Sequence, residues 1–115
     1  MRIELERRTD CQFVRLSGDL RFWNHAEQEE KVLAAFATSL ENTPREVLLN
    51  LAEVTAIDSR GISTIVRLPA RCAQHNIYLK IVMPRGVPGE AIRRVRVFDA
   101  WPTFDEESSA VAAPG

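Results

Sequence analysis

Cysteine is scarce in this chain of 115 residues, which has two cysteines, at positions 11 and 72. Two cysteines are too few for the disulfide framework that stabilises many small secreted domains. Cys11 lies in a predicted strand and Cys72 on the apolar side of a predicted helix, and both positions are typical of small core side chains. We therefore expect two free thiols in a reducing compartment.

Long apolar runs and an excess charge of one sign are also missing. No stretch approaches the roughly 20 apolar residues that span a bilayer, and the first residues, MRIELERRTD, are charged rather than apolar. Fifteen basic and sixteen acidic residues give a net charge of -1, so no electrostatic footprint for nucleic acid or an anionic membrane exists. We expect a cytoplasmic protein with no membrane span and no direct nucleic-acid partner.

Motifs for catalysis and for metal binding are lacking as well. Cys72 and His75 lie three residues apart, but His25 is the only other histidine, and a zinc site needs more ligands than this pair. Ser59 is preceded by Ile57-Asp58, so the G-x-S-x-G turn of serine hydrolases is absent. We predict no metal site, no cofactor, no catalytic residue and no enzymatic activity.

The composition that remains, 45% hydrophobic and 27% charged, is ordinary for one globular domain. We assign this domain to residues 1–112 and expect residues 113–115 to form a frayed tail. Strands that alternate with helices along the chain predict an α/β domain with a mixed sheet.

The first part of the chain predicts a hairpin and then a helix. Apolar and acidic residues alternate over residues 3–6, and after a turn at residues 9–10 an extended pattern covers residues 12–16. The turn-forming group Ser17-Gly18-Asp19 predicts the end of this second strand. Asn24, followed by Glu27, predicts a capped helix N-terminus, and Thr-Pro at residues 43–44 predicts where that helix ends. Its apolar face consists of Val32, Leu33, Phe36, Ala37 and Leu40.

The second part predicts two more strands and three more helices. Residues 47–51 form a short apolar run typical of a buried strand, and a loop to residue 58 follows. Apolar residues at three- and four-residue spacing then predict a helix from residue 59 to about residue 75. Pro69 inside this helix predicts a kink that tilts the first turn toward solvent.

After the central helix, residues 77–82 predict another strand and residues 83–89 a loop rich in helix breakers. A short extended piece and a terminal helix over residues 105–112 are predicted at the end of the chain. A third helix is predicted between this loop and the extended piece, and its apolar positions are Ala91, Ile92, Val95 and Phe98.

Ser59 stands where the central helix begins. The first amides of a helix have no carbonyl partners and the helix dipole places about half a positive charge there, so a phosphate on Ser59 would be stabilised. Phosphorylation would add roughly 1.5 to 2 negative charges and three acceptor oxygens. Gly61 would leave the nearby backbone free for close approach by another protein. These residues predict a docking surface that phosphorylation switches.

Other interpretations of the same residues stay open. Asp58 and Ser59 are common N-cap residues, which is compatible with a purely structural role. Asp58 would repel a phosphate, whereas Arg60 could pair with it. Phe22 and Trp23 could pack beneath the first helix or anchor a partner. A basic run on the third helix could be a solvated face or could meet an acidic partner, and it consists of Arg93, Arg94 and Arg96.

These features together resemble the STAS domain family, named for sulfate transporters and anti-sigma factor antagonists, and especially its small free-standing antagonists. The resemblance rests on the order of elements, on Gly18 and Leu20 after the second strand, and on D-S-R-G-I at residues 58–62. The last is similar to the family signature D-S-x-G-[LI]. The resemblance spans nearly the whole chain and implies a mixed sheet of four or five strands, with helices packed mainly on one face.

The resemblance also implies a function. The chain is expected to be an anti-sigma factor antagonist that regulates transcription by partner switching. Unphosphorylated, it would bind an anti-sigma factor with serine kinase activity; phosphorylation of Ser59 would release it, and a serine phosphatase would reset it. The predicted partner-binding residues are Asn50, Asp58, Ser59, Arg60, Gly61 and Ile62.

Two residues depart from the family pattern. Asn50 stands where the strand often carries Asp, and Arg60 replaces the small residue that often follows the signature serine. Both changes make the site less negative, which fits a different partner or better tolerance of the phosphate. The alternative function is a constitutive adapter subunit of a transporter complex or signalling scaffold. A small-ligand sensor and a weak homodimer also stay open.

Overall fold

The computed structural model describes residues 1–114. Two consecutive strands come first, and three more strands then alternate with helices along these residues. The strands are β1 (Arg2–Arg8), β2 (Cys11–Leu20), β3 (Glu46–Ile57), β4 (Tyr78–Val82) and β5 (Thr103–Phe104). The helices are α1 (Ala26–Ser39), α2 (Ser59–Gln74), α3 (Gly86–Arg94) and α4 (Glu107–Ala112), and a short 3-10 helix (Arg96–Ala100) precedes β5.

The five strands form one sheet in the order β1-β2-β3-β4-β5. β1 is antiparallel to β2, whereas the pairs β2–β3, β3–β4 and β4–β5 are parallel. Each parallel pair needs a crossover connection, and these are α1, α2, and α3 with the 3-10 helix. The predicted α/β domain with a mixed sheet is therefore confirmed.

The main core lies between the sheet and helices α1 to α3. Val47, Leu49 and Leu51 of β3 point to this side, because alternate residues of a strand share a face. They pack in one buried cluster with Phe36 of α1 and Ile65 of α2. The other face carries α4 over a smaller cluster, and the helices therefore pack mainly on one face, as predicted. The buried residues of this smaller cluster are Phe13, Leu48, Val82 and Ala110.

Strands β2 and β3 are longer than the sequence predicts. β2 does not end at Gly18, which has a φ of 85°, and its pairing with β3 continues to Leu20 through two register shifts. β3 extends to Ile57, so the predicted loop before residue 58 is strand. Both predictions were wrong because pairing with a neighbouring strand outweighs local turn preference.

The N-terminus of α1 also differs from its prediction. His25, and not Asn24, is the N-cap residue, and its side chain makes no cap hydrogen bond. Asn24 has a φ of 76°, in the left-handed region that asparagine tolerates better than most residues. The predicted capping pair of Asn24 and Glu27 is therefore wrong.

The third predicted helix is two short helices, and it begins earlier than expected. α3 starts at Gly86, inside the predicted loop, because the first turn of a helix needs no amide donor and so accepts Pro88. α3 ends at Arg94, and Phe98 belongs to the 3-10 helix. Apolar periodicity predicted one continuous helix because the buried residues of the two short helices lie on one side.

α2 covers Ser59–Gln74 as one helix, in agreement with its predicted range, and Pro69 is buried within it. The tilt of its first turn by Pro69 stays a prediction. No helix within residues 1–114 is both long enough and apolar enough to cross a membrane.

α4 is attached to the sheet at its C-terminal end by a buried lysine. The Nζ of Lys80 donates to the carbonyl of Ala110 at 2.9 Å and to that of Ala113 at 2.6 Å, and pairs with a Glu46 carboxylate oxygen at 2.8 Å. The carbonyl of Ala113, the first residue of the predicted tail, is thus bonded to β4. Gly115 lies outside the described residues.

Candidate functional site

Ser59 is the first residue of α2 and is exposed, directly after the end of β3. β2 and β3 are parallel neighbours, so the loop that follows β2 reaches the same edge of the sheet as the β3–α2 junction. This carboxyl edge is where open α/β sheets commonly bind their ligands. It brings residues 20–25 beside residues 57–62.

The carboxylate of Asp58 joins these two segments through three backbone hydrogen bonds. Its Oδ1 accepts from the amide of Gly61 at 2.8 Å, which caps α2, and from the amide of Phe22 at 3.1 Å. Its Oδ2 accepts from the amide of Trp23 at 2.9 Å. Burial raises the pKa of Asp58, but the backbone N–H groups around the carboxylate outweigh burial and hold the pKa below its ordinary value. Asp58 is therefore ionised at neutral pH.

Gly61 is buried, and the space beside it is already filled by the protein's own backbone. A Cβ at this position would lie 2.1 Å from the carbonyl oxygen of Leu20 and 2.9 Å from Cγ1 of Ile57. The prediction that Gly61 leaves the backbone free for another protein is thus corrected. Its missing side chain allows α2 to approach the end of β2.

Arg60 forms an ion pair with α1. Its Nε lies 2.9 Å from Oε2 of Glu29, and Nη1 of Arg67 lies 3.6 Å from Oε1 of the same carboxylate. Because Arg60 is half exposed, the pair contributes no more than about 1 kcal/mol. Arg60, which the sequence suggested as an ion-pair partner for a phosphate, is therefore already paired with a glutamate of α1. Ile62, the next signature residue after Gly61, packs partly buried against the main core.

Asn50 lies away from Ser59, on the face of the sheet that α4 covers. It alternates with Leu49 and Leu51 along β3, which point to the other face. Its Nδ2 donates to a Glu107 carboxylate oxygen at 2.6 Å, and the same carboxylate accepts two 2.8 Å hydrogen bonds from Arg15. The structure thus separates Asn50 from the other predicted site residues and uses it to hold α4.

The two aromatic residues of the β2–α1 loop have opposite environments. Phe22 is 1% exposed and belongs to the main core, whereas Trp23 is 65% exposed. The amides of both bond to Asp58, so the exposed indole is presented at a defined place beside α2. A cleft of about 380 Å³ adjoins it, lined in part by Asp19, Arg21 and Asp58. The sequence left open whether Trp23 packs beneath the first helix or anchors a partner. The adjacent Phe-Trp pair was the only feature of the sequence that pointed to this residue.

Neither cysteine has the properties of a reactive thiol. Burial raises the pKa of the Cys72 thiol to about 12 and is the main cause that raises the pKa of Cys11 to about 11. Thiols with such pKa values are poor nucleophiles at neutral pH. Both are free, and among residues 1–114 no group of three or more potential ligands is arranged to hold a metal ion.

The fold is similar to several solved structures. An anti-sigma factor antagonist from Mycobacterium paratuberculosis has a TM-score of 0.74 at 16% identity, over 96% of this chain and 90% of that chain. The unphosphorylated anti-sigma factor antagonist SpoIIAA has a TM-score of 0.71 at 19% identity, over 96% and 94%. A sulfate transporter family protein from Wolinella succinogenes has a TM-score of 0.71 at 20% identity, over 91% and 84%. At such identities the likeness establishes the fold.

Comparison by sequence gives the family. No curated protein matches this chain, but the model of the STAS domain family matches residues 2–110. This match includes all five strands and the D-S-R-G-I motif at residues 58–62. The chain therefore belongs to the STAS domain family.

Proposed function

We propose that this protein is an anti-sigma factor antagonist that controls transcription by partner switching in the cytoplasm and has no enzymatic activity of its own. In the unphosphorylated form it binds an anti-sigma factor that has serine kinase activity. Phosphorylation of Ser59 releases this partner, and a serine phosphatase restores the binding form.

The observation that best supports the proposal is that Ser59 is an exposed hydroxyl on a firmly held helix end. Asp58 bonds the helix to the β2–α1 loop, and Gly61 packs against the backbone of Leu20. A phosphate on Ser59 would therefore change the surface and leave the core intact. SpoIIAA, solved in unphosphorylated and phosphorylated forms, has similar TM-scores to this chain in both, 0.71 and 0.70.

The charge of a phosphate is large enough to release a partner. Two unit charges 4 Å apart interact by about 1 kcal/mol in water and by about 4 kcal/mol at an effective dielectric constant of 20. Since about 1.4 kcal/mol corresponds to a tenfold change in affinity, one repulsive contact would weaken binding between about fivefold and about a thousandfold.

The alternative is a constitutive adapter in a transporter complex or signalling scaffold. It is favoured by the similarity in fold to the Wolinella succinogenes sulfate transporter family protein. An adapter would use the same surface permanently, so its binding would not depend on the Ser59 hydroxyl as a phosphate acceptor.

The test is affinity capture from a lysate of the source cells with four purified proteins: wild type, Ser59→Ala, Ser59→Asp and Ser108→Asp. Ser108 is the matched control because it is also exposed in the first turn of a helix, on α4. Mass spectrometry identifies the captured proteins, and incubation of each complex with ATP tests for phosphate transfer. We expect wild type, Ser59→Ala and Ser108→Asp to capture an ATP-binding anti-sigma factor, and Ser59→Asp to lose it at least about tenfold.

The same experiment separates the two functions. Transfer of phosphate to wild type and not to Ser59→Ala, with unfolding free energies that agree within about 0.5 kcal/mol among the four proteins, would support the switch. Equal capture of transporter or scaffold subunits by all four proteins would instead establish the adapter.

A further inference from the structure

The exposed side of α2 carries an unusual charge pattern. The 16 residues of the helix include three arginines and no acidic residue. Arg60, Arg67 and Arg71 follow at spacings of seven and four residues, which places them on one side of an α-helix. All three are exposed. We refer to these three residues as the α2 arginine stripe.

This positive charge is only partly compensated. The Glu29 carboxylate contacts both Arg60 and Arg67, and within residues 1–114 Arg71 has no carboxylate within 4 Å. Three arginines against one glutamate leave two positive charges in excess along the helix, and the ionised carboxylate of Asp58 at its N-terminus reduces this excess to one. A chain with a net charge of -1 thus carries excess positive charge along the helix that begins at Ser59.

We propose that the α2 arginine stripe binds an acidic face of the anti-sigma factor, and that phosphorylation of Ser59 releases the partner by bringing negative charge to this stripe. The inference rests on the proposed function and adds the surface and the physical cause of release. Ser59 lies in the same helical turn as Arg60, about 100° around the axis, so its phosphate would lie beside the acidic surface that the stripe binds. The roughly 1.5 to 2 negative charges of the phosphate would exceed the remaining positive charge, and their effect would be strongest at the Arg60 end of the stripe because salt screens charges beyond about 10 Å.

Release by charge repulsion and release by steric blocking should depend differently on salt concentration. An electrostatic release weakens as salt is added, because the Debye length falls from about 10 Å at 0.1 M to about 3 Å at 1 M. A release by steric blocking would persist at high salt, and it would not depend on Arg67 or Arg71, which lie two and three turns away from Ser59.

The experiment is calorimetric titration of the purified anti-sigma factor, as recovered with wild-type protein in the capture above, at about 50 mM and about 500 mM salt. The test variants are Arg67→Glu, Arg71→Glu and Ser59→Asp. Arg71→Lys keeps the charge, and Arg94→Glu makes the same charge reversal on an exposed arginine of α3. Circular dichroism and thermal unfolding confirm that each variant is folded.

We expect each reversal in the stripe to weaken binding about tenfold or more at the lower salt concentration, and Arg71→Lys and Arg94→Glu to stay within about threefold of wild type. The loss of affinity that Ser59→Asp causes should be smaller at the higher salt concentration.

Two results would overturn the inference, and they differ in what they leave standing. If Ser59→Asp fails to bind while Arg67→Glu and Arg71→Glu bind like wild type, the switch stands but the arginine stripe is not its docking surface, whatever else the stripe binds. If wild type captures no anti-sigma factor, the proposed function and this inference both fail.

Discussion

At the β3–α2 junction the carboxylate of Asp58 caps the helix, whereas at the β2–α1 junction the N-cap residue His25 makes no side-chain cap bond. The first turn of α1 contains two glutamates, and the first turn of α2 contains no acidic residue. Both junctions lie at the same edge of the sheet, and Asp58 bonds to the backbone of both.

The difference shows how one helix end is prepared for added charge. The glutamates of α1 already complement the positive end of its dipole, so a phosphate there would meet like charge. The first turn of α2 has no acidic residue, so a phosphate on Ser59 would meet only the carboxylate of the cap residue Asp58, which is bonded to three backbone N–H groups and holds the backbone in place. The β3–α2 junction is thus suited to carry a phosphate, whereas the β2–α1 junction depends on Asp58 as the acceptor of its backbone hydrogen bonds.

Of the substitutions at these two junctions, Gly61→Ala should have the largest effect. Its Cβ would lie 2.1 Å from the Leu20 carbonyl oxygen, so the helix end must move away from β2. We expect a loss of about 3 kcal/mol in the free energy of unfolding, at the upper end for overpacking. Urea denaturation measures this loss.

Gly86→Ala is the control, because nothing lies within 4 Å of its Cβ and only its φ of 67° opposes the change. It should cost about 1 kcal/mol. Equal costs for the two glycines would show that the close approach of α2 to β2 is not what Gly61 provides.

A second change removes the bridging carboxylate. Asp58→Ala deletes the cap of α2 and leaves the amides of Phe22 and Trp23 without their acceptor. We expect a loss of about 2 kcal/mol by urea denaturation, against less than about 0.5 kcal/mol for His25→Ala at the other junction. If both alanine variants cost the same, the two junctions do not differ as described.

The smallest effect is the pH dependence that Asp58 contributes. Its pKa in the folded protein lies below the ordinary value of 3.8, so the unfolded state takes up the proton first as the pH falls. The stability that comes from the charged carboxylate is therefore complete above about pH 5 and is lost as the pH falls below about 4. The Asp58→Asn variant has no carboxylate at this position, so it should lack this part of the acid-induced loss of stability. The difference in the free energy of unfolding between this variant and wild type should therefore shrink as the pH falls. A difference that stays constant from neutral pH to about pH 3 would contradict this assignment.

Local patterns were sufficient for much of the fold. The strand over residues 47–51 lies within β3 and the helix from residue 59 is α2, because apolar periodicity and capping residues depend on a few neighbours in sequence. The break predicted at Gly18 failed because β2 is held by pairing with β3. The cap predicted at Asn24 failed because its backbone adopts a left-handed conformation that its sequence neighbours do not reveal.

The order of strands and helices follows from the sequence, and so does the position of Asp58-Ser59-Arg60-Gly61 at the start of a helix. What those residues contact becomes clear only from the folded arrangement of the elements. Asp58 bonds to an amide 36 residues away, Arg60 pairs with a glutamate 31 residues away, and Asn50 bonds to a glutamate 57 residues away. Periodicity and capping describe interactions between residues a few positions apart, whereas these contacts exist only after the parallel strands and their crossover helices have been assembled.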